Sequence, residues 1–122
     1  MVHTILSVED SQIDQEYMST ILENAGYEVI RARDGQDAFR ALLSNEIHLV
    51  ISDVMMPNLD GISFCETLRK LYNGTPVILC TATENNDLLK CALQAGCADW
   101  VNKPMDPVNL LSAIRYHLSH LN

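Results

Sequence analysis

The stretch Leu49-Val50-Ile51-Ser52-Asp53 most narrows what this chain can fold into. An apolar run ends in a carboxylate, and Pro57 and Gly61 then turn the chain. Leu49 to Ser52 reads as a short strand buried on both faces, the kind found inside a parallel sheet. Asp53 then stands where a central strand runs out, which is where ligands bind in open α/β sheets. A charged side chain there is costly unless something pairs with it.

The remainder of the chain alternates strand and helix patterns, with no repeat, linker or low-complexity segment. Thr4 to Val8 is an apolar strand. Ser11 is a good N-cap with Asp14 as its capping-box partner. Ile13, Tyr17, Met18, Ile21, Leu22 and Ala25 recur at helical spacing, and Gly26 ends the helix. Glu28 to Ala32 alternates polar and apolar, as an edge strand does. Asp34 caps a second helix whose inner face is Ala38, Ala41 and Leu42. Asp60 is placed to cap a third, with Phe64, Leu68, Leu71 and Tyr72 on one side. Val77 to Cys80 is a fully apolar strand ending at Thr81. A fourth helix carries Leu88, Ala92 and Ala95 and stops at Gly96. Asp99 to Asn102 is a short fifth strand, with Lys103-Pro104 directly after it. Asp106 and Pro107 open the last helix, where a missing N–H costs nothing. Leu110, Leu111, Ile114, Leu118 and Leu121 are its inward residues. Five strands alternating with five helices predict an α/β fold, a single doubly wound (βα)5 domain with a parallel sheet. The half-polar second and fifth strands belong at the edges, which fits the order 2-1-3-4-5.

With 122 residues the chain is one domain by length, and 48% hydrophobic residues suffice for a core. Eight basic against 16 acidic side chains give a net charge of -8. That argues against direct binding to nucleic acid or to an anionic membrane surface. No apolar run approaches the roughly 20 residues of a membrane span, and the amino-terminal stretch does not read as a secretory signal. Cys65, Cys80, Cys91 and Cys97 form no C-x-x-C pair and read as reduced, mostly buried thiols of a cytoplasmic protein. Nothing favours a Cys91–Cys97 disulfide.

The chemistry lies at the carboxyl ends of the strands. Glu9 and Asp10 come just after the first, Asp53 ends the third, Thr81 ends the fourth, and Lys103 comes just after the fifth. In the order 2-1-3-4-5 these ends converge. Carboxylates brought together repel, and one ammonium does not balance them. A divalent cation does, and all-oxygen ligands with room for water suit Mg²⁺. The backbone carbonyl of Met55 is placed to complete the protein's share. A metal-bound Asp, a hydroxyl and a Lys fit phosphoryl transfer, which needs an in-line nucleophile and positive charge on the transferring oxygens. A carboxylate serves as that nucleophile by forming an acyl phosphate.

On Val8-Glu9-Asp10, Ser52-Asp53-Val54-Met55-Met56-Pro57, Leu59-Asp60-Gly61, Thr81-Ala82, Ala95-Gly96 and Lys103-Pro104, the chain resembles the receiver domains of two-component response regulators. The resemblance covers essentially all of residues 1–122 and implies a flavodoxin-like fold. It implies that Asp53 is the phosphoacceptor, that Glu9 and Asp10 help bind Mg²⁺, and that Thr81 and Lys103 contact the phosphoryl group. It also implies a cis Lys103–Pro104 bond. The phosphodonor would be a phosphohistidine on a sensor histidine kinase or histidine phosphotransfer protein. Phosphorylation would reshape the face of helix 4, strand 5 and helix 5, in a monomer or a phosphorylation-dependent dimer. Such a protein is a regulator that catalyses only its own phosphorylation and dephosphorylation.

Three positions depart from the family's usual residues or tune its rate. Trp100 stands where Tyr or Phe is usual in the switch, and two readings are open: the ring moves inward after Thr81, or it fills a groove beside the last helix. Met55 and Thr83 occupy positions that set acyl-phosphate lifetime, and apolar Met55 predicts slow hydrolysis. His117 and His120 lie three apart on the last helix and read as an exposed helix end. Two competing classes fare worse. A phosphatase with a phospho-Asp intermediate would place D-x-D on the first strand and carry a substrate cap, and a flavin carrier would need a Gly- and hydroxyl-rich loop where acidic Glu9-Asp10 stands. An unphosphorylated receiver-like scaffold would not need all five chemical positions.

Overall fold

The computed structural model describes residues 2–54, 61–71, 74–82 and 86–121, the side chains of 61, 86, 88 and 89 excepted. Among the described residues ten elements alternate: β1 (Thr4–Val8), α1 (Gln12–Asn24), β2 (Glu28–Ala32), α2 (Gly35–Ser44), β3 (Leu49–Asp53), α3 (Gly61–Leu71), β4 (Val77–Thr81), α4 (Asn86–Ala95), β5 (Asp99–Asn102) and α5 (Pro107–Ser119). All strand pairs are parallel, in the order β2-β1-β3-β4-β5. The two half-polar strands lie at the edges, as their patterning requires.

Successive strand residues point to opposite faces, and the core divides accordingly. Ile5, Leu49, Ile51 and Ile78 pack with Met18 and Leu22 of α1 and Leu110, Ile114 and Leu118 of α5. Leu6, Val8, Val50 and Leu79 pack on the other face with Ala38 and Leu42 of α2, Phe64 and Leu68 of α3, and Ala92 and Ala95 of α4. Burial on both faces is what the unbroken apolar runs of β3 and β4 demand.

The helix termini are set by their capping residues. Ser11 Oγ accepts from the Asp14 N–H at 3.3 Å, Asp34 Oδ1 from the Asp37 N–H at 2.9 Å, and Asp106 Oδ1 from the Val108 N–H at 3.0 Å. The expected capping box at Ser11 is made differently. The Ser11 N–H is taken by Glu9 Oε1 at 3.1 Å rather than by Asp14. Gly96 stops α4 at φ +105°, a conformation in which L side chains are strained.

The inward stripe of α1 departs from expectation. Ile13 is 81% exposed, and Tyr17 and Ala25 also face outward. The buried positions are Gln15, Met18, Ser19 and Leu22, a stripe with two polar members. Apolar spacing alone does not reveal such a stripe, because it assumes that polar residues stay outside. Leu71, at the last turn of α3, is 64% exposed, and Leu121 is exposed beyond the end of α5. The expected roles of Asp60, Tyr72 and the Leu88 side chain lie outside the described residues.

All four cysteines are free thiols; Cys65, Cys80 and Cys97 are buried and Cys91 is exposed. No helix among the described residues is long and apolar enough to cross a membrane.

Candidate functional site

The register of the sheet brings the chemical residues to one end. Val8, the last residue of β1, is level with Ser52 of β3, and Asp53 is level with Cys80 of β4. Thr81 pairs with Asn102 at the end of β5. The chain beyond each strand is also tied to its neighbour: the Glu9 N–H donates to the Ala32 carbonyl at 3.0 Å, and the Lys103 N–H to the Thr81 carbonyl at 2.7 Å. The Lys103–Pro104 peptide is cis, as the resemblance implies.

Glu9, Asp10 and Asp53 each bring a carboxylate oxygen within 4.8 Å of the others. Glu9 is 8% exposed, Asp53 is half-buried and Asp10 is exposed. Lys103 reaches across them, with Nζ 3.0 Å from Asp53 Oδ2 and 3.2 Å from Glu9 Oε2. Thr81 is 3% exposed at the end of the neighbouring strand.

Burial pushes the Glu9 carboxyl above its ordinary range, although the Ser11 N–H and the Lys103 ammonium both pull it back. Burial also pulls the Lys103 ammonium down. Its hydrogen bond and charge contact with Asp53, joined by Glu9, outweigh that, and its pKa ends above the ordinary lysine value. Attraction between opposite charges therefore dominates at Lys103, and desolvation dominates at Glu9.

The donor set is all oxygen: three carboxylates at the neighbouring carboxyl ends of β1 and β3, one of them open to solvent. Such a set fits a small hard cation that keeps part of its water. The Met55 carbonyl, expected as a further ligand, lies outside the described residues, as does Thr83. Trp100 is half-buried on β5 against the apolar cluster on the α2–α4 face. It also borders a groove of about 340 Å³ beside α5, lined among others by Pro104, Asn109 and Ala113.

Two residues near these elements were not assigned by pattern. Asp14, read as a capping residue, points its carboxylate toward Lys103, with Oδ2 3.9 Å from Nζ. It lies in the first turn of α1, at the helix end that faces the strand ends. His117, read as part of an exposed helix end, is half-buried, with Nε2 3.1 Å from Asp99 Oδ2. The other Asp99 oxygen accepts the Trp100 N–H at 2.8 Å. Helical spacing gives no signal for that contact, since Asp99 is on a different element. His120 is exposed, as expected.

A family model, the response regulator receiver domain, matches residues 5–115. The chain is 37% identical over 111 residues to Protein RcaC of Microchaete diplosiphon, covering 91% of this chain and 17% of that protein. It is 36% identical over 114 residues to the transcriptional regulatory protein HprR of Escherichia coli (strain K12), covering 93% of this chain and 51% of the relative. The chain thus spans about half or less of the length of these relatives. Among solved structures, the signal receiver domain of an HD domain-containing protein from Pseudomonas fluorescens Pf-5 is 30% identical, with a TM-score of 0.93 over 98% of this chain and 97% of that one. The receiver domain of a signal transduction histidine kinase from Syntrophus aciditrophicus is 36% identical, with a TM-score of 0.89 over 97% and 91%. The chemotaxis response regulator CheY4 of Vibrio cholerae is 29% identical, with a TM-score of 0.89 over 96% and 99%. A family match across residues 5–115 and the fold shared with these receiver structures identify the chain as a member of the response regulator receiver family, a phosphorylation-activated response regulator domain.

Proposed function

We propose that Asp53 is the phosphoacceptor of this receiver, and that it takes a phosphoryl group from a phosphohistidine in a Mg²⁺-dependent reaction. The observation that carries this reading is the Lys103 ammonium held between Asp53 and Glu9 in a ring of carboxylates. Glu9, Asp10 and Asp53 are the side chains that would hold the ion. A bound Mg²⁺ would neutralise carboxylate charge and draw electron density from the phosphoryl oxygens.

The chain's own groups account for the remaining steps. An Asp53 carboxylate oxygen attacks phosphorus in line with the departing imidazole nitrogen. The O–P bond forms as the N–P bond breaks, and the leaving imidazole keeps the electron pair. Lys103, already beside Asp53, offsets the charge of the phosphoryl oxygens, and the Thr81 hydroxyl donates to one of them. Hydrolysis of the acyl phosphate returns the carboxylate, so the domain turns over only its own modification. Its donor is a sensor histidine kinase or a histidine phosphotransfer protein, and its place is the cytoplasm. The names of the relatives support an output through transcription only for those longer proteins, which extend well beyond the length matched here.

The test is incubation with acetyl phosphate and Mg²⁺, read by intact mass. One added phosphoryl group is expected on the wild type, none on Asp53→Ala, and none with excess chelator. Labelling of Asp53→Ala to the wild-type level would overturn the assignment.

A further inference from the structure

The polar members of the α1 stripe stand in an unusual place. Gln15 is 7% exposed on the face of α1 that lies against the sheet, with Met18 and Leu22 on the same stripe. An apolar side chain would satisfy that position. Gln15 instead meets four polar groups. Its Nε2 donates to the Ser7 carbonyl at 3.0 Å and to the Ala32 carbonyl at 3.2 Å. Its Oε1 accepts from the Ser7 hydroxyl at 2.6 Å and from the Ser19 hydroxyl at 3.5 Å. Only one orientation of the amide puts its two N–H donors on the two carbonyls. The network is fully buried, with Ser7 and Ser19 both at 1% exposure or less.

Its position matters as much as its bonds. Ala32 is the last residue of β2, level with Val8, and its carbonyl also accepts the Glu9 N–H at 3.0 Å. One oxygen thus holds both Gln15 and the backbone of the first acidic residue. On the helix side, the Gln15 N–H donates to the Ser11 carbonyl at 2.9 Å. The segment carrying Glu9 and Asp10 is therefore strung between two points that Gln15 joins, the ends of β1 and β2 and the first turn of α1. A satisfied buried amide adds little net stability over an apolar residue, but it permits one alignment of its partners where apolar contact permits many.

We infer that Gln15 is a positioning residue for the cation site, locking α1 to the ends of β1 and β2 so that the Glu9 and Asp10 carboxylates stay aimed at Asp53. This rests on the reading of Glu9, Asp10 and Asp53 as a Mg²⁺ site. Gln15 touches neither ion nor phosphate; it sets where the ligands sit.

The experiment is a MgCl2 titration monitored through the amide signals of Glu9 and Asp10 in ¹⁵N spectra, for wild type, Gln15→Met and Ser19→Ala. Ser19→Ala removes a hydroxyl from the same network without freeing either strand carbonyl. Gln15→Met is expected to weaken Mg²⁺ binding about tenfold, the low end for groups that orient metal ligands from behind. Ser19→Ala is expected to bind as the wild type does, whatever its melting temperature. Folded Gln15→Met with wild-type affinity overturns the inference and leaves the metal site standing. Equal weakening in both variants also overturns it, because general loosening would then suffice. A wild type that binds no Mg²⁺ overturns the site and the inference together. Should Gln15→Met fail to fold, Ser7→Ala removes the hydroxyl that orients the amide. A smaller loss of affinity supports the inference, and no loss overturns it.

Discussion

Replacing Lys103 with Met removes the charge and keeps a flexible, unbranched side chain one atom shorter. Lys103 Nζ lies 3.0 Å from Asp53 Oδ2 and 3.2 Å from Glu9 Oε2. At an effective dielectric constant of ~20, each contact is worth about 5 kcal/mol before desolvation. Asp14, at 3.9 Å and half exposed, adds little. Most of the attraction is offset by the cost of burying the ammonium. Breaking such a pair from one side typically costs about 3–5 kcal/mol, because the buried carboxylates lose their counter-charge. The Lys103 side chain is 21% exposed, so solvent screens part of the effect. The low end, ~3 kcal/mol, is therefore expected for the metal-free protein, a fall in Tm of about 10 °C for a domain of this size. Mg²⁺ must displace or share the oxygens that Lys103 holds, so the variant should bind it at least about tenfold more tightly, a gain of ~1.4 kcal/mol. Thermal unfolding with chelator and with a MgCl2 series reads both numbers, since a ligand bound only by the folded state stabilises it by RT ln(1 + L/Kd), with L its free concentration, and so raises Tm with the logarithm of its affinity. Equal stability of variant and wild type without metal, or an equal Mg²⁺-induced rise in Tm, would refute the charge argument.

Gly96→Ala should destabilise more than Gly26→Ala in urea unfolding. Both glycines have positive φ, which costs an L residue about 1–2 kcal/mol. Only at Gly96 would the new Cβ meet a neighbour, Arg69 Cδ at 2.8 Å, and disturb that residue's hydrogen bond to the Gln94 carbonyl; equal costs would show that Arg69 yields freely. Burial pushes the Cys80 thiol up to about 12 and the Cys97 thiol up to about 11, against an ordinary 9.0. The unfolded chain therefore ionises first as pH rises, so stability should be flat in these groups below about pH 9 and fall above it. Cys97→Ala should lessen that fall, and an unchanged slope would refute the assignment. Under native conditions an alkylating reagent should modify exposed Cys91 well before the other three, which a uniform rate would contradict. Trp100 is the lone tryptophan among four tyrosines, so emission excited selectively at the indole reports its ring alone; beryllofluoride with Mg²⁺ is expected to shift the emission, and an unchanged spectrum would mean the ring stays in place.

Much of this protein is legible before any coordinates. Unbroken apolar runs at 49–51 and 77–80 have no stable place except inside a parallel sheet, and half-polar runs at 28–32 and 99–102 have none except at its edges. Once the strand order is fixed, residues after separate strands must meet, which is how Glu9, Asp10, Asp53, Thr81 and Lys103 can be grouped although they span most of the chain. Caps at Ser11, Asp34 and Asp106 are local and equally readable. Periodicity misleads where a polar group is buried because a particular partner awaits it. Gln15 and Ser19 take the inward places on α1, and Ile13 and Tyr17 are turned out.

What the linear order of residues determined was therefore the kind of sheet, its edges and the company of side chains at its carboxyl end, because hydrophobic burial and chain connectivity leave few alternatives. What only the tertiary structure decided was how those side chains pair. Lys103 joins Asp53 and Glu9, Glu9 rather than Asp14 takes the Ser11 N–H, and His117 reaches Asp99. Such contacts link elements far apart in sequence, and their directional geometry is settled only when the helices have docked on the sheet.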